Sequence, residues 1–280
     1  MTTTNDSQAS GPLTVPSDRL PSYGRELHAS YAAADPCPHI CFDGLVQPDL
    51  LARVAAEFPD LGEKGDIRFS DPNQLKLASR GTSRFGPVTR ELAGFLNSPP
   101  FLDFLERLTG ISGLIADPQF AGGGLHEIRR GGFLKIHADF SRHPEWQLDR
   151  RINLLLYLNE DWEESYGGHF ELWDRGMTQC VKKFLPVVNR MVIFNTTDTS
   201  YHGHPDPLAC PESRSRRSLA LYYYTKGRPA GEVRSGNRIT TRFRAREQDG
   251  AAMRRYNKVK DLVTRLVPPA ILKRIYRKMK

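Results

Sequence analysis

The stretch GGGLHEIRRGGFLKIHADF, residues 122–140, decides how this chain is read. Apolar segments lie on both sides of Gly131-Gly132, which reads as two strands joined by a tight turn. In the second strand His137 and Asp139 stand two residues apart. Side chains two apart in a strand share a face. One imidazole and one carboxylate can therefore reach the same ion from a single strand. A third ligand must come from elsewhere, and His202, just after the apolar segment MVIFN, is the candidate. Two histidines and one carboxylate leave a face of an octahedral ion open, the arrangement suited to Fe(II) oxygen chemistry. An HxD pair recurs by chance, so the surrounding chain has to carry the argument.

Downstream, RINLLLYL (151–158) is a continuous apolar run. HFELW (169–173), Val187-Val188, MVIFN (191–195) and SLALYYYT (218–225) follow as further strands. Short strands joined by Gly and Pro turns predict a β-sandwich or barrel. Upstream, HICFDGLV reads as a first strand, and 49–58, 89–97 and 101–108 carry helical spacing, the last two separated by Ser98-Pro99-Pro100. Helices first and strands afterwards predict an α+β fold with helices packed on one face of a β-core.

Residues 1–24 are rich in Ser, Thr and Pro and are expected to be disordered. Residues 25–230 form the expected domain, with its core at 122–226. Residues 231–280 read as a linker and a basic helical tail, with Val259, Leu262, Val263 and Leu266 at helical spacing. The net charge of +8 belongs to that tail: residues 251–280 hold ten Lys or Arg and one acid, and the other 250 residues hold 30 basic and 31 acidic side chains. A neutral body argues against a general nucleic-acid binder. No run of eighteen apolar residues exists, and the N-terminus lacks the apolar segment of a secretory signal. Four cysteines are too few for a disulfide framework. Cys37 and Cys41, in CPHIC, have no second ligand pair at similar spacing and read as small buried apolar residues. Reduced thiols and the absence of a signal point to the cytoplasm.

After His202 come Arg214, Arg216 and Arg217, leading into the last apolar strand. A guanidinium at the end of a barrel can hold a carboxylate through two parallel hydrogen bonds. A dicarboxylate that chelates the metal at one end needs such a cation at the other. Arg216, Ser218 and Ala220 share one strand face, where small neighbours leave room for a ligand. Arg217 is the rival.

The pieces GGFLKIHADF, INLLLYLNEDW, GGHFELW, FLPVVNRMVIFN, SYHGHP and RRSLALYYYT resemble, in order, the catalytic core of the prolyl 4-hydroxylase-like Fe(II)/2-oxoglutarate-dependent dioxygenases. The resemblance covers about residues 122–224. It implies a double-stranded β-helix (jelly-roll) core, with Fe(II) and 2-oxoglutarate as metal and cosubstrate and ascorbate as an accessory. It puts His137, Asp139 and His202 on the iron ligands, Arg216 on the residue that holds the distal carboxylate of 2-oxoglutarate, and Tyr157 beside that cosubstrate. His204 is the rival for His202. Where many relatives have a tyrosine before the HxD histidine, this chain has His126. The implied reaction is hydroxylation of an unactivated C–H with release of succinate and CO2. The substrate is a small molecule, peptide or glycan, and no nucleic acid is expected.

Two other readings compete. A cupin-type metalloprotein would also be a β-barrel with histidines, but its usual pattern is an HxH followed by a glutamate. A non-enzymatic binding module would act through the basic tail, by peripheral membrane or partner contact through residues 251–280.

Overall fold

Proline sets where four helices begin. α1 (Leu20–Ala32), α2 (Pro48–Ala56), α3 (Pro87–Leu96) and α4 (Pro99–Thr109) each carry one in the first turn, where its missing N–H leaves no bond unmade. Ser98-Pro99-Pro100 thus ends one helix and starts the next, and Gly110, at φ 72°, ends α4. The computed structural model describes residues 11–143, 145–229, 232 and 240–266.

The strands are β1 (His39–Asp43), β2 (Ile67–Asp71), β3 (Gln74–Ala78), β4 (Ile115–Ala116), β5 (Gly124–Arg129), β6 (Phe133–Ala138), β7 (Asp149–Tyr157), β8 (Phe170–Trp173), β9 (Cys180–Phe184), β10 (Arg190–Asn195), β11 (Tyr201–His204), β12 (Ser215–Thr225) and β13 (Arg242–Phe243). Among the described residues they form one sheet in the order β1-β10-β7-β12-β5-β3-β6-β11-β8-β9, with β13 on β6, β2 on β3 and β4 on β12. The sheet curls until its two ends meet. Phe170 of β8 packs on Phe194 of β10 at 5.1 Å between ring centroids, although the two strands sit near opposite ends of the order. This is the expected double-stranded β-helix, with helices on one face.

The apolar run of β7 does not alternate because both of its faces are covered. Ile152, Leu154 and Leu156 join Leu219, Leu221, Met191 and Ile193 in the core beneath the helices. Leu155 and Tyr157 face the interior of the curl with Phe170, Leu172, Val192 and Phe194. Truncating a fully buried member such as Leu154 to Ala costs about 2–5 kcal/mol. Cys37 and Cys41 pack against the interior cluster as small apolar groups.

Several expectations need correction. Residues 11–24 are ordered: Leu13 and Leu20 are buried, Leu13 bridges to Val46, and α1 starts at Leu20. Val15 and Tyr23 pack on the same core, and backbone bonds from Thr14 to Leu45 and from Gln47 to Pro12 help to tie the segment down. Residues 1–10 lie outside the described residues. Val187-Val188 is not a strand; the strand before it is β9, whose polar sequence CVKKF suits a sheet edge. His202, just after β10, lies in a strand of its own, β11. The hairpin β2-β3 had no expected counterpart. The segment 231–280 is not all linker and tail, since β13 belongs to the sheet and only then does α5 (Gly250–Leu266) begin. The last residues of the expected tail, 267–280, lie outside the described residues.

One arrangement positions the site. β6 pairs with β11 along one edge. Its other edge is shared: β3 pairs with Phe133 and Leu134, and β13 pairs with His137 and Ala138.

Candidate metal centre

The β6–β11 pairing sets His137 directly opposite His202. Their rings lie 4.4 Å apart, centroid to centroid. Asp139 follows on the same face as His137. The three donor groups lie within 4.8 Å of one another, and they are the one group of three or more His, Cys, Asp or Glu side chains with metal-ligand spacing among the described residues. Gly203 is what lets the strands approach. A Cβ there would sit 2.7 Å from the Leu134 carbonyl oxygen and 3.0 Å from that of Lys135.

Both histidines are oriented by their own backbones. His137 Nδ1 bonds to the Lys135 carbonyl at 2.9 Å, and His202 Nδ1 to the Ser200 carbonyl at 2.9 Å. A carbonyl only accepts, so each Nδ1 carries a proton and Nε2 is the nitrogen left to face the site. Both Nε2 atoms turn to Asp139, His137 at 3.6 Å and His202 at 3.3 Å. Burial, then the neighbouring His202, pushes the pKa of His137 down, which keeps its ring neutral. Burial alone would raise the Asp139 carboxyl, but Arg150 and the two histidines hold it well below the usual range. Neutral imidazoles and an ionised carboxylate are the states that bind a divalent ion.

Arg150 and Asn153 were not singled out in the sequence. Arg150 Nη2 donates to Asp139 Oδ2 at 3.0 Å, and Asn153 Nδ2 donates to the same oxygen at 2.7 Å. Arg150 Nε also donates to Asn153 Oδ1 at 2.8 Å, and its guanidinium lies 3.4 Å over the Tyr222 ring. These residues fix one carboxylate oxygen and leave Oδ1 unencumbered by them. On the far side of His137, Phe243 of β13 packs at 5.4 Å.

Arg216 sits deeper in the curl and is 4% exposed. Nε donates to the Gly168 carbonyl at 2.7 Å and Nη2 to the Tyr157 hydroxyl at 3.1 Å. A Cβ at Gly168 would meet Arg216 Cδ at 3.1 Å, so the glycine makes the room. Neither partner is an anion, and no carboxylate ion-pairs with this guanidinium among the described residues. Burial pulls its pKa down, opposed only by Tyr157. Arg217 points the other way, with its guanidinium 5.0 Å over the Phe58 ring and Nε on Ser215.

Two further histidines line the same interior. His126 Nε2 and both ring nitrogens of His204 are buried with no hydrogen-bond partner. Burial drives His126 down to about 3 and His204 well below its ordinary value, with Arg216 and Lys76 adding to the effect. His204 pairs opposite Leu134, past an irregularity in the ladder, and does not join the cluster of donors. His169 pairs with Glu164 at 2.9 Å, and His143 stacks on Trp146, away from the centre. Cys37, His39 and Cys41 form no metal-ligand group with other described residues.

Comparisons with known proteins agree with this geometry. Residues 123–224 match the 2OG-Fe(II) oxygenase superfamily. A prolyl 3-hydroxylase, OGFOD1, from Mus musculus is 33% identical over 86 residues, which are 29% of this chain and 15% of that protein. This chain therefore spans only a small part of that relative. Among solved structures, a Pseudomonas putida prolyl-4-hydroxylase superposes with a TM-score of 0.54 at 16% identity, covering 73% of this chain and 100% of that one. SnoN, a non-heme alpha ketoglutarate dependent epimerase from nogalamycin biosynthesis, superposes at 0.50 with 12% identity, covering 79% of this chain and 96% of that one. At those identities the superpositions speak for the fold. The matched segment, residues 123–224, is the one whose strands carry the His-Asp-His cluster.

Proposed function

We propose that this chain is a 2-oxoglutarate-dependent dioxygenase that hydroxylates an unactivated C–H of its substrate, releasing succinate and CO2 from 2-oxoglutarate. His137, Asp139 and His202 are the iron ligands in this reading, and Arg216 with Tyr157 holds the distal carboxylate of the cosubstrate. The observation that carries it is Arg216. A guanidinium buried without an anion is costly, and a carboxylate delivered by a ligand supplies the missing charge with two parallel hydrogen bonds. The unpartnered nitrogens of His126 and His204 mark the same interior as one that receives a polar group.

The bound metal supplies activation of dioxygen and of the cosubstrate. The protein supplies position and exclusion of water. Arg150 and Asn153 hold Asp139, the backbone carbonyls of Lys135 and Ser200 aim the imidazoles, and Phe243, Phe170 and Phe194 close around the rings of His137 and His202. Peptidyl proline is the first substrate class to test, because the matched mouse and Pseudomonas proteins are prolyl hydroxylases. Other small molecules and glycans follow. Epimerisation, the reaction named for SnoN, would leave substrate mass unchanged and is distinguished by that measurement.

The experiment is anaerobic Fe(II) and 2-oxoglutarate binding, followed by succinate formation with and without candidate substrates. Wild type should bind both and form succinate, and His137→Ala should lose iron and turnover together. Succinate formation indifferent to His137→Ala would overturn the ligand assignment. Substrate consumption without gain of one oxygen would overturn hydroxylation.

A further inference from the structure

α5 stands with one face on the protein and an apolar face in solvent. Nine large apolar side chains are exposed among the described residues, and five of them lie on this helix: Tyr256, Val259, Leu262, Val263 and Leu266. The last four are 54, 56, 47 and 73% exposed. At about 100° per residue they fall within one stripe. The opposite side is the anchored one. Asn257 is buried, and its Oδ1 accepts from Asn73 Nδ2 at 2.9 Å; Lys260 reaches Asp71 at 3.6 Å and lies 5.1 Å over the Phe243 ring. The contacts that hold the helix therefore turn its apolar stripe outward.

The charge around the stripe indicates what covers it. Arg254, Arg255 and Lys258 are exposed. Beyond the helix the sequence continues to Lys280 with five more cations and no acid. A second copy of this helix would bring like charges together. A nucleic acid would match the cations but leave the aliphatic stripe uncovered. An anionic lipid surface satisfies both, because aliphatic side chains enter the acyl boundary while Lys and Arg meet the headgroups. Among the described residues no helix is long and apolar enough to cross a membrane, so α5 would lie on the surface.

We propose that α5 docks this protein on an anionic lipid surface through Val259, Leu262, Val263 and Leu266, with the exposed Arg254, Arg255 and Lys258 meeting the headgroups. Docking places the bilayer close to the metal centre, since Lys260 contacts Phe243 and Phe243 contacts His137.

The test is co-sedimentation of the full chain with vesicles of phosphatidylcholine alone, or with about 30% phosphatidylglycerol. The protein should pellet with the anionic vesicles and not with the neutral ones. About 0.5 M NaCl should release most of it. The double substitution Leu262→Asp, Val263→Asp should weaken binding about tenfold or more, and Arg254→Glu, Lys258→Glu should do the same. Leu75→Asp, at an exposed apolar residue off the helix, should bind as the parent does. Equal succinate formation in the two α5 variants shows that they are folded, and that readout is separate from pelleting. Failure to pellet with anionic vesicles overturns the proposal. So does undiminished pelleting of the stripe variant, or its conversion of a lipid-free dimer into a monomer by light scattering.

Discussion

Arg150 and Asp139 meet at 3.0 Å in the wall of the metal centre, and both are almost wholly removed from solvent. The pair sets a testable asymmetry. In Arg150→Met without metal, Asp139 is a buried charge that has lost its main counter-ion, and the cost should be about 3–5 kcal/mol. Bound Co(II) or Ni(II) supplies another counter-charge and should recover part of that loss. Urea midpoints with and without the metal measure this, and a destabilisation of equal size in both states would refute it. Metal affinity should fall about 10–100-fold, as expected for a residue that holds a ligand in place.

Arg216 and Arg217 are neighbours with opposite surroundings. Arg216→Ala should raise the KM for 2-oxoglutarate about 30-fold or more, the effect of removing about 2 kcal/mol or more of buried charge pairing. Arg217→Ala, over Phe58, should stay within about twofold. Steady-state succinate formation over a range of cosubstrate decides it, and the reverse order would reassign the carboxylate site.

The thiols should be slow nucleophiles. Burial pushes Cys37 up to about 12 and Cys41 up to about 11. Each unit lowers the thiolate fraction about tenfold. Iodoacetamide at pH 8 should therefore label Cys37 about a thousandfold more slowly in the native protein than after unfolding. Mass spectrometry of the labelled peptides reads this directly, and comparable rates in the two states would refute it.

Acid should loosen the segment before α5. Arg246 holds Asp206 at 2.6 Å and Asp249 at 3.1 Å. The Arg246 hydrogen bond lowers Asp206 against the opposing effect of burial. For Asp249 burial would raise the carboxyl, but Arg246 and Lys135 bring it down. Carboxyls held low when folded stabilise the protein above their ordinary value, about 4. That stability disappears as pH falls through the lower folded values, because the unfolded chain binds more protons. Thermal midpoints should drop below about pH 4, and Asp206→Asn should flatten that dependence. An unchanged slope in the variant would show that the cluster is not responsible.

The sequence carried the His-Asp-His cluster because strand parity is simple: His137 and Asp139 share a face by spacing alone, and His202 comes with its own strand. It could not carry Arg150. By parity Arg150 belongs with Ile152 on the helix side of β7. The ladder to β12 shifts register between Tyr223 and Tyr224, opposite Ile152 and Arg150, so Arg151 is the extra residue. That shift turns Arg150 to the face of Asn153. An arginine before a fully apolar run was the available signal, but the shift depends on the partner strand. The N-terminal segment was misread for a related reason, since Leu13 and Leu20 are too few to show in composition and are decisive only when buried. β13 is two residues long and has no pattern to find.

The shared edge of β6 makes the metal centre depend on the order of synthesis. The His-Asp-His cluster is complete once His202 has been made and β11 has paired with β6. The strand that shields the other side of His137 arrives only at Phe243. At about 5–20 residues per second, the stretch between His202 and Phe243 takes a few seconds to make, so β13 is the last of these strands to be supplied.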